Sequence, residues 1–306
     1  MKKRRRGEGR RFPFWTGVVA AIIPVIVAAI GFVLLHDSHL PIEKFGWKFW
    51  TGTNWDPVAG EFGALPFIWG TLYSSVFALA LSTPIAVGIA VFITEISTHR
   101  LKRPLTFLTE LLAGIPSIVY GLWGIFVLVP FVRTFETTIS KTPLSRLPIF
   151  SGPPFGIGML AAGLILAIMV VPYISTVTRE VLRSVPMAQR EAAYALGATK
   201  WEATRVALQF GRRGILGAIF LGFGRAFGET MAVTMLIGNN PQISTSLFAP
   251  QHSTAAVIAN EFTEATDDLY LQALVEIGLV LFLITLLVNV LSRILIWSVS
   301  RVPEPA

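Results

Sequence analysis

Residues 185–210, VPMAQREAAYALGATKWEATRVALQF, form the stretch that decides the fold class of this chain. The alanines and leucine before Gly197 favour helix, and this glycine suits a sharp turn after a short helix. Thr199 is placed to cap a second helix, with Glu202 three residues later as its capping-box partner. The stretch therefore predicts two helices joined by a turn, inside a loop of residues 178–214 that is too long for a simple connector.

The sequence on either side of this loop has the composition of a membrane protein. Hydrophobic residues make up 53% of the 306 positions and charged residues only 14%, whereas about 25% of the residues in soluble domains are charged. A spanning helix needs about 20 mostly apolar residues. The fold class expected is an all-α integral membrane protein with six transmembrane helices, at residues 14–35, 66–93, 105–132, 155–177, 215–237 and 269–299.

The basic residues predict the orientation of these helices. Of the 25 lysines and arginines, 19 lie in residues 1–13, 94–104, 178–214 and the tail from 293, and only five lie in the alternate segments. Because cytoplasmic loops of membrane proteins are enriched in Lys and Arg, both termini and the 178–214 loop are predicted inside the cell. This asymmetry explains the net charge of +7 better than nucleic-acid binding does.

The predicted organisation follows from this topology. Residues 1–13 are a basic cytoplasmic terminus, 14–36 an uncleaved first transmembrane helix, and 37–65 an external loop rich in Trp and Phe. Residues 66–300 form the remaining permease domain with its cytoplasmic loop. The aromatic residues of the external loop favour either a belt at the membrane interface or a docking surface for an external partner.

Several kinds of site are excluded by the sequence. The chain has no cysteine, which excludes disulfides and thiolate chemistry, and its four histidines show no metal-ligand spacing. No G-x-x-x-x-G-K-[ST] motif is present to cradle ATP phosphates. The chain is therefore expected to be a transport subunit rather than an enzyme, and to bind no cofactor itself. ATP and Mg would be used by a separate ATPase polypeptide.

The 178–214 loop resembles the EAA loop of ABC-type importer permeases, whose pattern is Glu-Ala-Ala, three residues, Gly, nine residues and Ile-x-Leu-Pro. Glu191, Ala192, Ala193 and Gly197 match its first half at the family spacing. The second half departs, because Ala207, Gln209 and Phe210 stand where the family has Ile, Leu and Pro. The resemblance implies that this loop docks onto a nucleotide-binding subunit. An amphipathic helix resting on lipid headgroups is the alternative.

Two ionisable residues lie near the centre of the fifth predicted helix. Charge at that depth is costly and usually faces a polar interior or a translocation path. Arg225 and Glu229 are four residues apart, so on one helix they would share a face and pair. The planar fork of an arginine suits a phosphate or sulfate oxyanion. A structural ion pair is the simpler alternative.

Three further motifs carry a closer resemblance. Residues 62–75 (FGALPFIWGTLYSS), 113–124 (AGIPSIVYGLWG) and 224–233 (GRAFGETMAV) are similar to the phosphate-importer permeases of the ABC class, and the first is closest to the PstC type. The resemblance implies a type-I importer fold and a role of Arg225 and Glu229 in transport. It also implies four partners besides the lipid bilayer and inorganic phosphate: a PstA-type sister permease, two PstB-type ATPase subunits and an external PstS-type phosphate-binding protein.

Weaker candidates and alternatives remain at this point. Ser117 and Tyr120 can line the path, or they can pack helices together. Glu95 and Glu110 lie near the inner ends of their predicted helices, where surface roles are favoured. The family resemblance places the chain in a bacterial cell membrane. Alternative functions are a permease for sulfate, molybdate or tungstate, a secondary transporter driven by an ion gradient, or a membrane scaffold.

Overall fold

The computed structural model of the protein describes residues 8–298 and consists almost entirely of helices. Its one sheet in this range is a two-stranded antiparallel hairpin, β1 (Trp55–Asp56) and β2 (Glu61–Phe62). In chain order the helices are α1 (Glu8–His36), α2 (His39–Phe45), α3 (Trp47–Thr51), α4 (Leu65–Val91), α5 (His99–Ala113), α6 (Ser117–Trp123), α7 (Val129–Ser140), α8 (Met159–Ser184), α9 (Met187–Ala195), α10 (Lys200–Phe227), α11 (Met231–Leu236), α12 (Thr254–Glu261) and α13 (Asp268–Ser298).

Six helical spans in the described range are long and apolar enough to cross a membrane, as the sequence predicts. A π turn extends α4, and another joins α6 to α7 into one span. The spans are Phe14–His36, Leu65–Ile96, Ser117–Ser140, Met159–Ser184, Lys200–Phe227 and Asp268–Ser298. The prediction of an all-α membrane protein is therefore confirmed.

Helix α8 lies at the centre of the bundle and is buried along most of its length. Small residues let its neighbours approach closely. A side chain at Gly163 would overlap the ring of Phe77 on α4, and one at Gly222 on α10 would meet Ile174. Such close contacts supply the van der Waals packing that holds membrane helices together. The first span, in contrast, has no buried residue in its apolar window.

The third span differs from its prediction. A single helix was expected over residues 105–132, but α5 ends at Ala113 and a new helix begins at Ser117. Pro116 is the physical reason, because proline lacks an N–H and disfavours helical backbone at the residue before it. Helix α5 is also amphipathic, since it carries Lys102 and Arg103 beside exposed leucines. The membrane is therefore crossed from Ser117 onward, and α5 precedes the crossing.

The fifth span also differs from its prediction of residues 215–237. Helix α10 begins at Lys200, inside the basic loop, and ends at Phe227. A short separate helix, α11, follows the break at residues 228–230. Gly228 follows the last residue of α10, and its N–H donates to the carbonyl oxygen of Gly224. The second helix of the loop is thus continuous with a membrane span.

Part of the aromatic loop before α4 packs inward. Phe49, Trp55 and Phe62 are buried against Phe67 at the start of α4. The indole N–H of Trp55 donates a hydrogen bond of 2.8 Å to Glu261. These side chains therefore form a second hydrophobic core that ties the loop to the bundle, while Trp47 stays 83% exposed.

The segment after α11 folds back into the bundle instead of forming an exposed loop. Gly238 and Gln251 form a β-bridge, and Phe248 between them is fully buried. The backbone carbonyl of His252 lies so close to Gly70 on α4 that a Cβ there would overlap it. A glycine at this position is what permits the close approach.

The capping box predicted at Thr199 is present, and it permits a test of local stability. The Thr199 side chain accepts a hydrogen bond from the Glu202 amide, and the Glu202 carboxylate accepts one of 2.7 Å from the Thr199 amide. We expect Thr199→Ala to weaken the first turn of α10 by about 1 kcal/mol. Amide hydrogen exchange over residues 200–203 should accelerate roughly fivefold.

A matched control for this variant is Thr138→Ala. The Thr138 hydroxyl is exposed and bonds only the carbonyl one turn earlier in its own helix. Its removal is expected to leave exchange in α10 unchanged. Equal exchange rates in α10 for the Thr199 variant and the unchanged protein would contradict the capping role.

Candidate functional site

The helix–turn–helix predicted in the basic loop is formed by α9 and the start of α10. Gly197 lies in the turn with φ +83°, a left-handed conformation that favours glycine. No residue of α9 is buried. Leu196, next to the turn, is 91% exposed. A short helix that projects from the bundle in this way presents a surface to a partner.

Apolar side chains make this projecting surface unusual for a hydrophilic loop. Met187, Tyr194, Leu196 and Trp201 are all exposed. Glu191 and Ala192 are exposed beside them. Contiguous exposed apolar groups on a soluble surface mark interaction sites. We refer to residues 187–201 as the coupling loop, and to the end of the bundle that carries it as the coupling end.

An arginine next to the EAA motif anchors the coupling loop to the bundle. The Arg190 guanidinium forms two hydrogen bonds with the Glu95 carboxylate, of 2.7 and 3.2 Å. It also donates to the carbonyl oxygens of Leu182 and Val185, both at 2.9 Å. Both charged side chains are almost buried, at 11% and 12% exposure. Arg190 therefore joins α9 to the ends of α8 and of the second span.

A second ion-pair network, in which only Arg179 is buried, joins α8 to α5. The Arg179 side chain on α8 is 4% exposed and bonds Glu110 on α5 at 3.0 Å. It also contacts Glu180, which in turn bonds Arg183. The surface role predicted for Glu95 is therefore wrong, whereas Glu110 is exposed, as predicted, and also pairs with Arg179. The sequence did not predict either network. Their arginines lie among the basic residues of the 178–214 loop, and no neighbouring residue in the sequence indicates their partners.

The second candidate site surrounds Arg225, in the last turn of α10. Its guanidinium carbon lies 4.0 Å from the ring centroid of Tyr173 on α8, a cation–π contact. The buried Nε atom of Arg225 has no hydrogen-bond partner among the residues that the structure describes. A buried donor without a partner is costly, so it is available to an incoming acceptor.

Two tyrosines fix the surroundings of this arginine. The Tyr173 hydroxyl donates to the carbonyl oxygen of Ala113 at 3.2 Å, and the Tyr120 hydroxyl donates to that of Leu112 at 2.9 Å. These carbonyls lie at the end of α5, where a helix leaves its last acceptors unpaired. Tyr120 also lies within electrostatic reach of Arg225. The helix break before Ser117 and the Arg225 site are therefore adjacent.

Arg225 and Glu229 form no ion pair in the described part of the chain. Glu229 follows the end of α10 and lies in the break before α11, so helical spacing does not apply to it. The predicted pairing on one helix face is wrong. Glu229 is nevertheless only partly exposed, and α11, which follows it, packs against α6 at Gly121.

This architecture matches a known family of transport proteins. The family described as binding-protein-dependent transport system inner membrane component matches residues 83–301, which is well over half of the chain. The chain belongs to this family. The match includes the coupling loop and the Arg225 site, but neither the first span nor the aromatic loop.

Curated relatives of this permease are similar over nearly its full length. The phosphate transport system permease protein PstC of Haemophilus influenzae is 46% identical, with 94% of this chain and 92% of the relative covered. The protein of that name from Mesorhizobium japonicum is 44% identical, with 93% and 89% covered. PstC 1 of Mycobacterium tuberculosis is 38% identical, with 98% of each covered. The resemblance to PstC-type permeases is therefore confirmed.

A solved structure shows the fold of this permease. An inward-facing structure of the MetNI methionine ABC transporter matches with a TM-score of 0.58 and 17% identity. The match covers 77% of this chain and 95% of that chain. The type-I ABC importer permease fold predicted from the sequence is confirmed, and the chain is a multi-pass membrane protein and a transport subunit rather than an enzyme.

Proposed function

We propose that this chain is the permease subunit of an ATP-driven importer of inorganic phosphate, in which it forms half of the translocation path. The observation that carries the proposal is the partly buried Arg225, which stacks on Tyr173 and whose Nε has no hydrogen-bond partner within residues 8–298. The names of its relatives supply the substrate, since each is a phosphate transport system permease protein.

Arg225 supplies what a passing oxyanion needs. A guanidinium holds two phosphate oxygens at once in a planar fork, and such charge-assisted bonds are among the stronger hydrogen bonds in proteins. Stacking on Tyr173 keeps the guanidinium plane fixed while its N–H groups stay available. Ser117 and Tyr120, at the start of the third span, and Glu229, in the adjacent break, are proposed to line the same path.

The remaining subunits of the proposed importer follow from the coupling loop. We propose that Glu191, Ala192, Ala193 and Gly197, with the exposed apolar side chains around them, dock into a groove on one of two PstB-type ATPase subunits. ATP and Mg are bound there and not by this chain. A PstA-type permease forms the other half of the path, and an external PstS-type protein delivers phosphate. The complex lies in the bacterial cell membrane.

Reconstitution tests this function directly. The chain is incorporated into proteoliposomes with its sister permease and ATPase subunits, and the receptor is added outside. We expect uptake of labelled phosphate that requires ATP and the receptor, and that an excess of unlabelled phosphate inhibits. An equal excess of sulfate should leave the uptake unchanged.

The same experiment separates the alternatives. Competition by sulfate, molybdate or tungstate at equal concentration would assign a different oxyanion to the same importer. Uptake that depends on an ion gradient and continues without ATP would assign a secondary transporter. The absence of uptake of every anion from a fully assembled complex would favour a scaffold.

A further inference from the structure

A polar pocket lies at the coupling end, outside both sites described above. It is formed between one face of α5 and the last turns of α8 and has a volume of about 260 Å³. It is lined by Lys102, Arg103, Thr106, Phe107, Glu110 and Arg183. Neither the Arg225 site nor the exposed surface of the coupling loop includes any of these residues.

Positive charge exceeds negative charge around this pocket. Lys102, Arg103 and Arg183 line it, and Arg179 lies directly behind it through its bond to Glu110. The carboxylates that face these four cations are those of Glu110 and Glu180, both already engaged by arginines. Arg103 takes part in none of the ion pairs between residues 8 and 298. An anion entering the pocket would therefore meet two uncompensated positive charges.

Unsatisfied polar atoms give independent evidence of a missing ligand. Thr106 lines the pocket, and its hydroxyl oxygen is buried without a hydrogen-bond partner in the described part of the chain. Nη1 of Arg179, which lies behind the lining residues, is likewise buried without a partner among the described residues. A buried polar group left unpaired costs about 1–3 kcal/mol. A ligand with several acceptor oxygens would satisfy such donors.

We propose that this pocket binds a phosphate group, carried either by the headgroup of an anionic phospholipid or by free inorganic phosphate. Lys102, Arg103 and Arg183 would hold its oxygens, and Thr106 would donate the hydroxyl hydrogen bond. Basic pockets between membrane helices are suited to phosphorylated headgroups. The ring of Phe107, 62% exposed at the pocket rim, offers an apolar contact on the same side. This proposal does not depend on the substrate of the translocation path.

Because the chain contains no cysteine, a single introduced thiol can report on the pocket. Phe107→Cys places this thiol at the rim, where the exposed side chain tolerates replacement. The assembled complex is treated with anionic and cationic methanethiosulfonate reagents of similar size, and the parent complex gives the background. We expect the anionic reagent to react roughly tenfold faster, since a cationic pocket concentrates anions.

A matched pair of charge variants tests the residues themselves. In the Phe107→Cys background, Arg103→Gln should lower the preference for the anionic reagent severalfold. Arg100→Gln removes an exposed charge from the same helix outside the pocket, and should leave the preference unchanged. If both variants lowered the preference equally, the preference would reflect only the overall positive charge of this surface, and the proposal would be overturned.

Protection of the thiol distinguishes the two sources of the phosphate group. Slower labelling in bilayers of phosphatidylglycerol than in phosphatidylcholine would identify a headgroup. Slower labelling with added inorganic phosphate, but not with chloride at the same ionic strength, would identify the free ion. Protection by neither would overturn the proposal. Mass spectrometry of the purified complex provides a second measurement, because an anionic lipid retained by the parent should be lost from Arg103→Gln.

Discussion

Arg225→Ala is expected to abolish ATP-driven phosphate uptake while the complex remains assembled. The guanidinium is the one group at this site that can hold two oxygens of phosphate at once, and its Nε has no partner among the described residues. Loss of two charge-assisted hydrogen bonds should cost about 3 kcal/mol or more, roughly a hundredfold in uptake. Labelled phosphate uptake in proteoliposomes measures the loss, and co-purification of the subunits measures assembly.

Control variants separate the recognition of phosphate by Arg225 from the mere loss of a positive charge. Arg146→Ala removes an exposed arginine from the loop before α8 and should leave uptake unchanged. Arg225→Lys keeps the charge but loses the planar fork, so its uptake should stay below that of the unchanged protein. Glu229→Ala is also expected to abolish uptake, since a carboxylate in a helix break within a span is retained for function. Normal uptake in either alanine variant would overturn the assignment of that residue to the path.

Arg190→Ala is expected to uncouple ATP hydrolysis from phosphate uptake. This arginine holds α9 against the bundle through Glu95 and two backbone carbonyls. Removing one partner of a nearly buried ion pair costs about 3–5 kcal/mol, because the other charge is left uncompensated. The coupling loop would then move without the spans. We expect continued hydrolysis and a large fall in the ratio of phosphate transported to ATP hydrolysed.

Two further variants separate the anchoring role of Arg190 from the loss of one positive charge. Arg205→Ala removes an exposed arginine from α10, close to the coupling loop, and should preserve the ratio. The double variant Arg190→Met/Glu95→Met replaces the buried pair by apolar groups of similar volume, which is often neutral for stability. It should recover part of the ratio that the single variant loses. A normal ratio in Arg190→Ala would show that α9 is held by other contacts.

The sequence predicted the membrane class, the number of spans and the helix–turn–helix of residues 187–201 correctly because these features depend on local composition. A run of about 20 apolar residues specifies a span wherever it occurs. Likewise, the capping box at Thr199 and Glu202 and the left-handed turn at Gly197 are specified by residues within one turn of each other. Both appear in the structure as predicted.

Predictions failed where apolar composition continued across a break in the backbone. The third and fifth spans were predicted to run through residues 114–116 and 228–230, since mostly apolar residues flank both breaks. The glycines and the proline at these positions were visible in the sequence. They are also common in unbroken membrane helices, so they did not distinguish a break from a kink.

By itself, the sequence determined that six segments are apolar enough to cross a membrane, where the helix–turn–helix of the basic loop lies, and that Arg225 and Glu229 are unusual residues for a membrane helix. Only the tertiary structure decided their partners. Arg225 stacks on Tyr173 instead of pairing with Glu229, and Arg190 bonds a glutamate 95 residues earlier in the chain. The physical reason is that helix formation depends on neighbours within one turn, whereas the partner of a buried charge depends on which helices pack together.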